Sequence, residues 1–251
     1  MLIKIEELQS YSLDSLDGEI GKVKEFYFDD RYWSIRYLVA DTGHWLMERQ
    51  VLISPYALVA VDKDTQNIII NLNRQQIENS PSLNSDMPVS RQFEAKYFEY
   101  YQWPKYWVGT HMWGVNPDIR RSDEKNQSEL TVAEEWNANL RSTSAVSGYY
   151  IHAQDGEIGH VDDFIIDDET WSIRYLVINT SNWWLGKKVL IAPSWIESVN
   201  WDTSEVYVNM SREVIKHAPE YTDWSILTRE FEDCLHKHYE REKYRASRND
   251  A

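Results

Sequence analysis

The chain has 251 residues, 41 acidic against 26 basic side chains, a net charge of −15 and a single cysteine. This length suits one large or two small domains, and one cysteine excludes a disulfide framework or a thiolate metal cluster. So negative a chain repels phosphate backbones, so we expect no nucleic-acid partner. The sequence has no apolar run of membrane-spanning length and no signal-peptide pattern, which predicts a cytoplasmic protein without a transmembrane segment.

A seven-residue string that occurs twice reveals an internal repeat. Residues 33–39 read WSIRYLV, and the same string returns at residues 171–177, at an offset of 138. At this offset, residues 11–81 align with residues 149–219 without a gap, and 30 of the 71 positions are identical. The chain therefore contains a duplicated domain.

Each copy reads as a series of short β-strands. In the first copy we predict strands at residues 22–28, 33–39, 51–53, 58–61 and 68–70, separated by polar turns. A short helix at residues 74–78 follows, capped by Asn73, and Ser211 caps its counterpart in the second copy. Several short strands with polar turns predict a mainly β fold with some α, in the form of a small barrel or sandwich.

The order of these motifs resembles the PRC-barrel domain family. Both copies contain D-G-E-I-G-x-V-x-x-F-x-x-D-D, then W-x-I-R-Y-L-V, then V-L-I-x-P. The family includes the cytoplasmic domain of the photosynthetic reaction-centre H subunit and the C-terminal domain of the rRNA-processing factor RimM. The resemblance implies two small PRC-type β-barrels that dock on a larger assembly, and it supplies no catalytic motif.

The remaining segments complete a four-part organisation. We predict a first barrel at residues 1–81, a linker at 82–148, a second barrel at 149–219 and a C-terminal helix at 220–251. The linker has nine aromatic residues between positions 93 and 113, and their spacing predicts an amphipathic helix that ends before Pro104. This aromatic segment either packs on a barrel or across a dimer interface, or it forms a site for a planar ligand, pigment or sugar.

The C-terminal helix has its own apolar pattern. Its predicted buried face consists of Leu227, Phe231, Cys234, Leu235 and His238. Cys234 could form a nucleophile pair with His238, but a small buried cysteine is the favoured interpretation.

The polar residues common to both copies suggest structure more than chemistry. Arg36 and Arg174 lie mid-strand, opposite a predicted apolar face of Trp33, Ile35, Tyr37 and Val39, so we expect each to pair with a local carboxylate. Asp-Gly and Asp-Asp form turns in their own right, which favours a turn role over acid–base or cation chemistry. The histidines are scattered without metal-ligand spacing, and we predict neither a metal nor a cofactor.

Tryptophans are the candidate interaction residues. The loops at residues 43–50 and 181–188 differ most between the copies, yet both have a tryptophan, which could be an interface residue or could plug the end of a barrel. The complete candidate set is Trp45, Trp183, Trp184, Trp103, Trp107 and Trp113.

These features favour a non-enzymatic assembly or interaction module. We expect it to dock on a protein or membrane-protein complex, as the reaction-centre H subunit does, and to form a homodimer. The alternative is an aromatic-lined module that binds a small ligand. A ribosome-linked role in RNA processing is disfavoured by the charge.

Overall fold

The computed structural model describes residues 1–43, 45–46, 49–81, 83–84, 89–119, 140–180, 186–222 and 227–239. These divide into two compact units. The first unit contains residue 1, residues 3–145 and residues 166–173, and the second contains residue 2, residues 146–165 and residues 174–251. Within the described ranges no helix is both long and apolar enough to cross a membrane.

The elements are mainly β, as predicted, with a few helices. From residue 2 to residue 101 they are β1 (Leu2–Lys4), α1 (Ile5–Leu8), β2 (Ser12–Ser15), β3 (Gly18–Asp29), β4 (Ser34–Asp41), β5 (Arg49–Ile53), β6 (Leu58–Asp62), β7 (Asn67–Ile70), α2 (Arg74–Glu78), β8 (Leu83–Asn84) and α3 (Arg91–Tyr101). From residue 140 onward they are β9 (Leu140–Ser142), α4 (Thr143–Val146), β10 (Tyr150–Ala153), β11 (Gly156–Asp167), β12 (Ser172–Asn179), β13 (Lys188–Ile191), β14 (Ile196–Asn200), β15 (Glu205–Val208), α5 (Arg212–Lys216) and α6 (Arg229–His238). Single 3-10 turns lie at Pro55–Ala57 and Pro193–Trp195.

The two units have the same strand order. In the first unit it is β6–β7–β2–β3–β4–β5, with β2 and β7 parallel, and β9 pairs with the C-terminal end of β3. In the second unit the order is β14–β15–β10–β11–β12–β13, with β10 and β15 parallel. Each unit is thus a mixed sheet, and no pairing within the described residues joins its first and last strands. Closure of each sheet into a barrel stays a proposal.

The repeat is longer than the sequence analysis found. The offset of 138 relates β1 to β9, α1 to α4 and α3 to α6, in addition to every strand of residues 11–81. Helices α3 and α6 are therefore equivalent parts of the two copies.

Shared acidic residues serve the turns, as expected. The Asp17 carboxylate accepts a hydrogen bond from the backbone N–H of Arg74 at 2.8 Å, and Asp155 repeats the contact with Arg212 at 2.7 Å. This bond lowers the pKa of Asp17. Asp29 accepts the backbone N–H groups of Arg31 and Tyr32, at 2.9 and 3.2 Å, in the turn after β3.

Strand β4 overlaps the predicted period-two segment and is buried on both faces. Every residue from Ser34 to Ala40 is buried: α3 packs on Tyr37 of the predicted apolar face, and Tyr106 and Trp113 cover Arg36 on the other face. Trp33 itself precedes the strand and has a positive φ of 51°.

The predicted buried face of the C-terminal helix is also wrong in part. α6 buries Leu235 and His236, and Tyr239 at its C-terminal cap is buried as well. Cys234 is exposed, not buried. The apolar pattern was misassigned because His236, a polar residue, occupies the position of Phe98 in the other copy.

Candidate functional site

Helices α3 and α6 each contribute a glutamate to a hydrogen-bond network with a strand of their own unit. Both begin at a hydroxyl cap, where Ser90 and Thr228 accept the backbone N–H of Phe93 and Phe231 at 3.2 Å. Their sequences share Arg, Phe, Glu and Tyr at equivalent positions, Glu94 corresponding to Glu232. This match lies outside the predicted repeat of residues 11–81, although comparison of residues 91–101 with residues 229–239 at the same offset reveals it.

Glu94 lies at the centre of a buried hydrogen-bond network in the first unit. Its side chain is 0% exposed. One carboxylate oxygen accepts the hydroxyls of Tyr37 and Tyr106, at 2.8 and 2.6 Å, and the other is 2.9 Å from the guanidinium of Arg91. A buried carboxylate is tolerated only with such partners, so the network fixes α3 on β4.

Arg36 occupies an aromatic cage beside this network. The guanidinium is fully buried, 4.0 Å from the ring centre of Tyr106 and 4.8 Å from that of Trp113. Its carboxylate partner is Asp29, at 3.6 Å, which confirms the expected local ion pair. None of its nitrogens has a hydrogen-bond acceptor among the described residues. Cation–π attraction therefore contributes much of its stabilisation.

The second unit builds a related network with different partners. Glu232 accepts the hydroxyl of Tyr175 at 2.8 Å and lies 3.2 Å from Arg174, so this arginine pairs with a carboxylate as predicted, but with one on α6 instead of a local one. The Tyr175 hydroxyl is also 3.1 Å from Nε2 of His236. The equivalent glutamates are thus neutralised from different elements: Glu232 by an arginine on a strand, and Glu94 by an arginine on its own helix.

The buried phenols predict a loss of stability in alkali. Burial raises the pKa of Tyr37 and Tyr106 well above the usual value of about 10, and Glu94 raises both further. Because only the unfolded chain can ionise these phenols near pH 10, their stabilising contribution is complete below that pH and is lost above it. We expect the free energy of unfolding, measured with urea between about pH 8 and pH 11, to fall.

Tyr106→Phe is the matched variant for this test, because it removes one buried phenol and keeps the ring. Its stability is expected to fall less steeply with pH than that of the parent chain. The same slope in both proteins would contradict the assignment.

A surface patch lies where α3 meets α2, and we call it the aromatic corner: Trp45, Arg74, Tyr100, Tyr101 and Trp103. The hydroxyl of Tyr100 donates to the carbonyl of Gln76 on α2 at 2.9 Å. Tyr101 and Trp103 stack at 4.4 Å with an interplanar angle of 12°. The guanidinium of Arg74, also on α2, lies 4.6 Å from the ring centre of Trp45.

The aromatic corner leaves part of each ring accessible. Tyr100 is exposed, and Trp45, Tyr101 and Trp103 are half-buried. The contacts to α2 hold the rings in one arrangement, so little side-chain entropy is left to lose on binding. In the second unit, His238 takes the place of Tyr100 and its Nε2 lies 2.8 Å from the carbonyl of Val214.

The other candidate tryptophans lie elsewhere. Trp107 is half-buried against Phe98 and 4.6 Å from the guanidinium of Arg91. Trp113 is 1% exposed and packs on Tyr56 in the interior, where a partner has no access to it. Trp183 and Trp184 lie outside the described residues. Trp45 contacts α2 through Arg74, and Trp103 stacks on Tyr101, whose hydroxyl lies 3.5 Å from the carbonyl of Gln76 on α2.

The described residues include no group of three metal-ligating side chains. The second copy is a mixed β-sheet with α6 packed against it. Comparison with protein families identifies it further: residues 148–215 match the PRC-barrel domain. The chain therefore contains a PRC-barrel domain in its second copy. No curated protein matches the sequence.

Proposed function

We propose that this chain is a non-enzymatic assembly module built from two PRC-type domains, and that it docks on a protein or a membrane-protein complex. The PRC-barrel match of the second copy fits a non-catalytic module, and the offset of 138 extends the assignment to the first copy. The observation that carries the docking role is the aromatic corner, because tyrosine, tryptophan and arginine dominate binding hot spots.

The packing of the aromatic segment favours this role over the alternative of a planar-ligand site. Phe98 and Trp113 are buried, and Phe98 contacts Tyr56, Trp103, Tyr106 and Trp107 with ring centres 5.1–6.2 Å apart. The rings fill the space between the helix and the sheet, and the accessible ring area faces outward at the aromatic corner.

The test is affinity capture of the tagged chain from the lysate of its own source, with detergent-solubilised membranes included. We expect a stoichiometric partner that is lost with the double variant Trp45→Ala, Trp103→Ala. Truncating a hot-spot aromatic residue costs at least about 2 kcal/mol, so binding is expected to weaken at least about 30-fold.

Tyr150→Ala is the matched control, since Tyr150 is an exposed aromatic residue of the second unit. This variant is expected to keep the partner. Equal capture by the parent and the double variant would place the docking surface elsewhere. Quenching of tryptophan fluorescence by a small planar ligand, lost in the double variant, would favour the ligand-binding alternative.

We also propose that the chain forms a homodimer. Light scattering at micromolar concentration is expected to give the mass of a homodimer, and a monomeric mass would remove that part of the proposal.

A further inference from the structure

Strand β6 forms an outer edge of the sheet in the first unit. It pairs with β7, from Leu58 opposite Ile70 to Asp62 opposite Asn67, and it ends the strand order. No other described backbone group bonds to residues 59–61. An unpaired edge of this kind presents a row of backbone donors and acceptors to any extended chain.

A cleft of about 570 Å³ runs beside this edge. Its lining combines apolar residues with two carboxylates: Met1, Val59, Ala60, Val61, Ile119, Asp168 and Glu169. The amino group of Met1 contacts Asp168, whereas Glu169 has no ion pair among the described residues and is exposed. The cleft is therefore lined both by the apolar side chains of β6 and by the carboxylates of Asp168 and Glu169.

The residues around the edge are unusually apolar. Leu16, Val59 and Ile69 are 66%, 51% and 41% exposed, and they belong to or directly follow the adjacent strands β2, β6 and β7. The second copy has Gln154, Glu197 and Tyr207 at the equivalent positions. A charged residue on an edge strand commonly prevents pairing with another chain. Strand β14 has such a residue, Glu197, whereas β6 has Val59 at the equivalent position.

We propose that β6 binds an extended segment of another protein as an additional strand. The segment would alternate aliphatic side chains, which cover Val59 and Ile69, with lysine or arginine, which pair with Glu169 and Asp168. Charge decides against a second copy of this chain, because a β6–β6 pair would bring two chains of net charge −15 and two sets of these carboxylates together. This surface shares no residue with the aromatic corner, so neither proposal depends on the other.

The experiment begins with a displayed library of random dodecapeptides, selected on the immobilised full chain and depleted on Val59→Glu. That variant places in β6 the residue that the second copy has. We expect enriched peptides with alternating aliphatic and basic residues. Synthetic copies are expected to bind Val59→Glu at least about 10-fold more weakly and Glu169→Lys several-fold more weakly. Val115→Glu, an equal charge change at another exposed valine of the same unit, is the control and is expected to bind normally.

Backbone methylation of the peptide distinguishes strand addition from simple occupation of the cleft. We expect N-methylation at every second residue to abolish binding, and methylation at the intervening residues to be tolerated, since an added strand donates alternate N–H groups to its neighbour. Amide exchange at residues 58–62 is expected to slow with bound peptide.

Four results would overturn the proposal: no enriched peptide, equal binding to Val59→Glu, tolerance of methylation at every position, or a dimer that Val59→Glu dissociates. The last would assign the edge to a second copy. Loss of peptide binding with the double variant of the aromatic corner would instead show that the two surfaces are one.

Discussion

The Glu94→Ala variant is expected to lose about 3–5 kcal/mol of unfolding free energy, the usual cost of removing one partner from a buried ion pair. The substitution leaves the hydroxyls of Tyr37 and Tyr106 without their acceptor and leaves the charge of Arg91 without its carboxylate. The two phenols are buried, so water cannot replace the hydrogen bonds that they lose, and the Arg91 side chain is only 15% exposed. Urea denaturation followed by tryptophan fluorescence measures the change.

Two variants make this result specific. Glu94→Gln keeps an acceptor and the side-chain length, so it is expected to cost less than Glu94→Ala. Glu232→Ala removes the equivalent carboxylate of the second copy, which is 14% exposed and accepts one phenol hydroxyl where Glu94 accepts two, so it is expected to cost less. A loss for Glu94→Ala no larger than for Glu232→Ala would show that complete burial and the second phenol add nothing to the value of this network.

The same variant links stability to the proposed function. Tyr100 and Tyr101 are on the last turn of α3, and Glu94 holds the first turn of that helix against β4. A loosened α3 moves these rings away from their contacts with Gln76. We therefore expect Glu94→Ala to weaken partner capture below its melting temperature, and Glu232→Ala to leave capture unchanged.

Local patterns were sufficient to predict most of the strands and turns. The strand of residues 22–28 lies within β3, and the Asn73 and Ser211 caps accept backbone N–H groups as expected. These features depend on residues close in sequence: an oxygen three positions before an N–H, or a β-branched run between polar turns. They could be predicted because no distant part of the chain is needed to define them.

The burial of Arg36 could not be predicted in this way. Its cage is formed by Tyr106 and Trp113, about 70 residues further along the chain, so alternation within β4 has no information about it. The equivalence of α3 and α6 was missed for a different reason. Only four of the eleven positions from 91 to 101 are identical in the second copy, and substitution of Tyr97 and Phe98 by Leu235 and His236 hides the aromatic pattern.

The two copies show which part of the design is indispensable and which has diverged. Both keep a glutamate on the helix and a tyrosine on the strand, joined at 2.8 Å. The neutralising arginine has changed element, from Arg91 on α3 to Arg174 on β12. The constant feature is thus a helix carboxylate that accepts the strand tyrosine hydroxyl and pairs with an arginine, and either neighbouring element can supply that arginine.

The glycine at the bend of β3 is expected to be the least replaceable residue of the sheet. Gly21 has a φ of +138°, and a Cβ added there would lie 2.0 Å from the carbonyl oxygen of Asp41 on β4. Gly21 pairs with Leu13 of β2 and Asp41 pairs with Lys22 of β3, so neither backbone can shift without disturbing a strand ladder. We expect Gly21→Ala to cost more than about 4 kcal/mol, at the upper end for single substitutions.

Gly18→Ala separates the two causes of this loss. Gly18 has nearly the same φ, +134°, but a Cβ there has nothing within 4 Å, so only the strain of the backbone remains, about 1–3 kcal/mol. Equal losses of stability in the two variants would mean that the close approach to Asp41 is relieved at no cost.

A Cβ at Gly159 would lie at the same 2.0 Å from the carbonyl oxygen of Asn179, so Gly159→Ala repeats the measurement in the second copy. If either alanine variant is insoluble, protease susceptibility of the expressed chain at low temperature replaces denaturation, and Gly18→Ala is expected to stay resistant. A large loss of stability at both Gly21 and Gly159 would establish that both copies require the close backbone approach at this position, to Asp41 in the first copy and to Asn179 in the second.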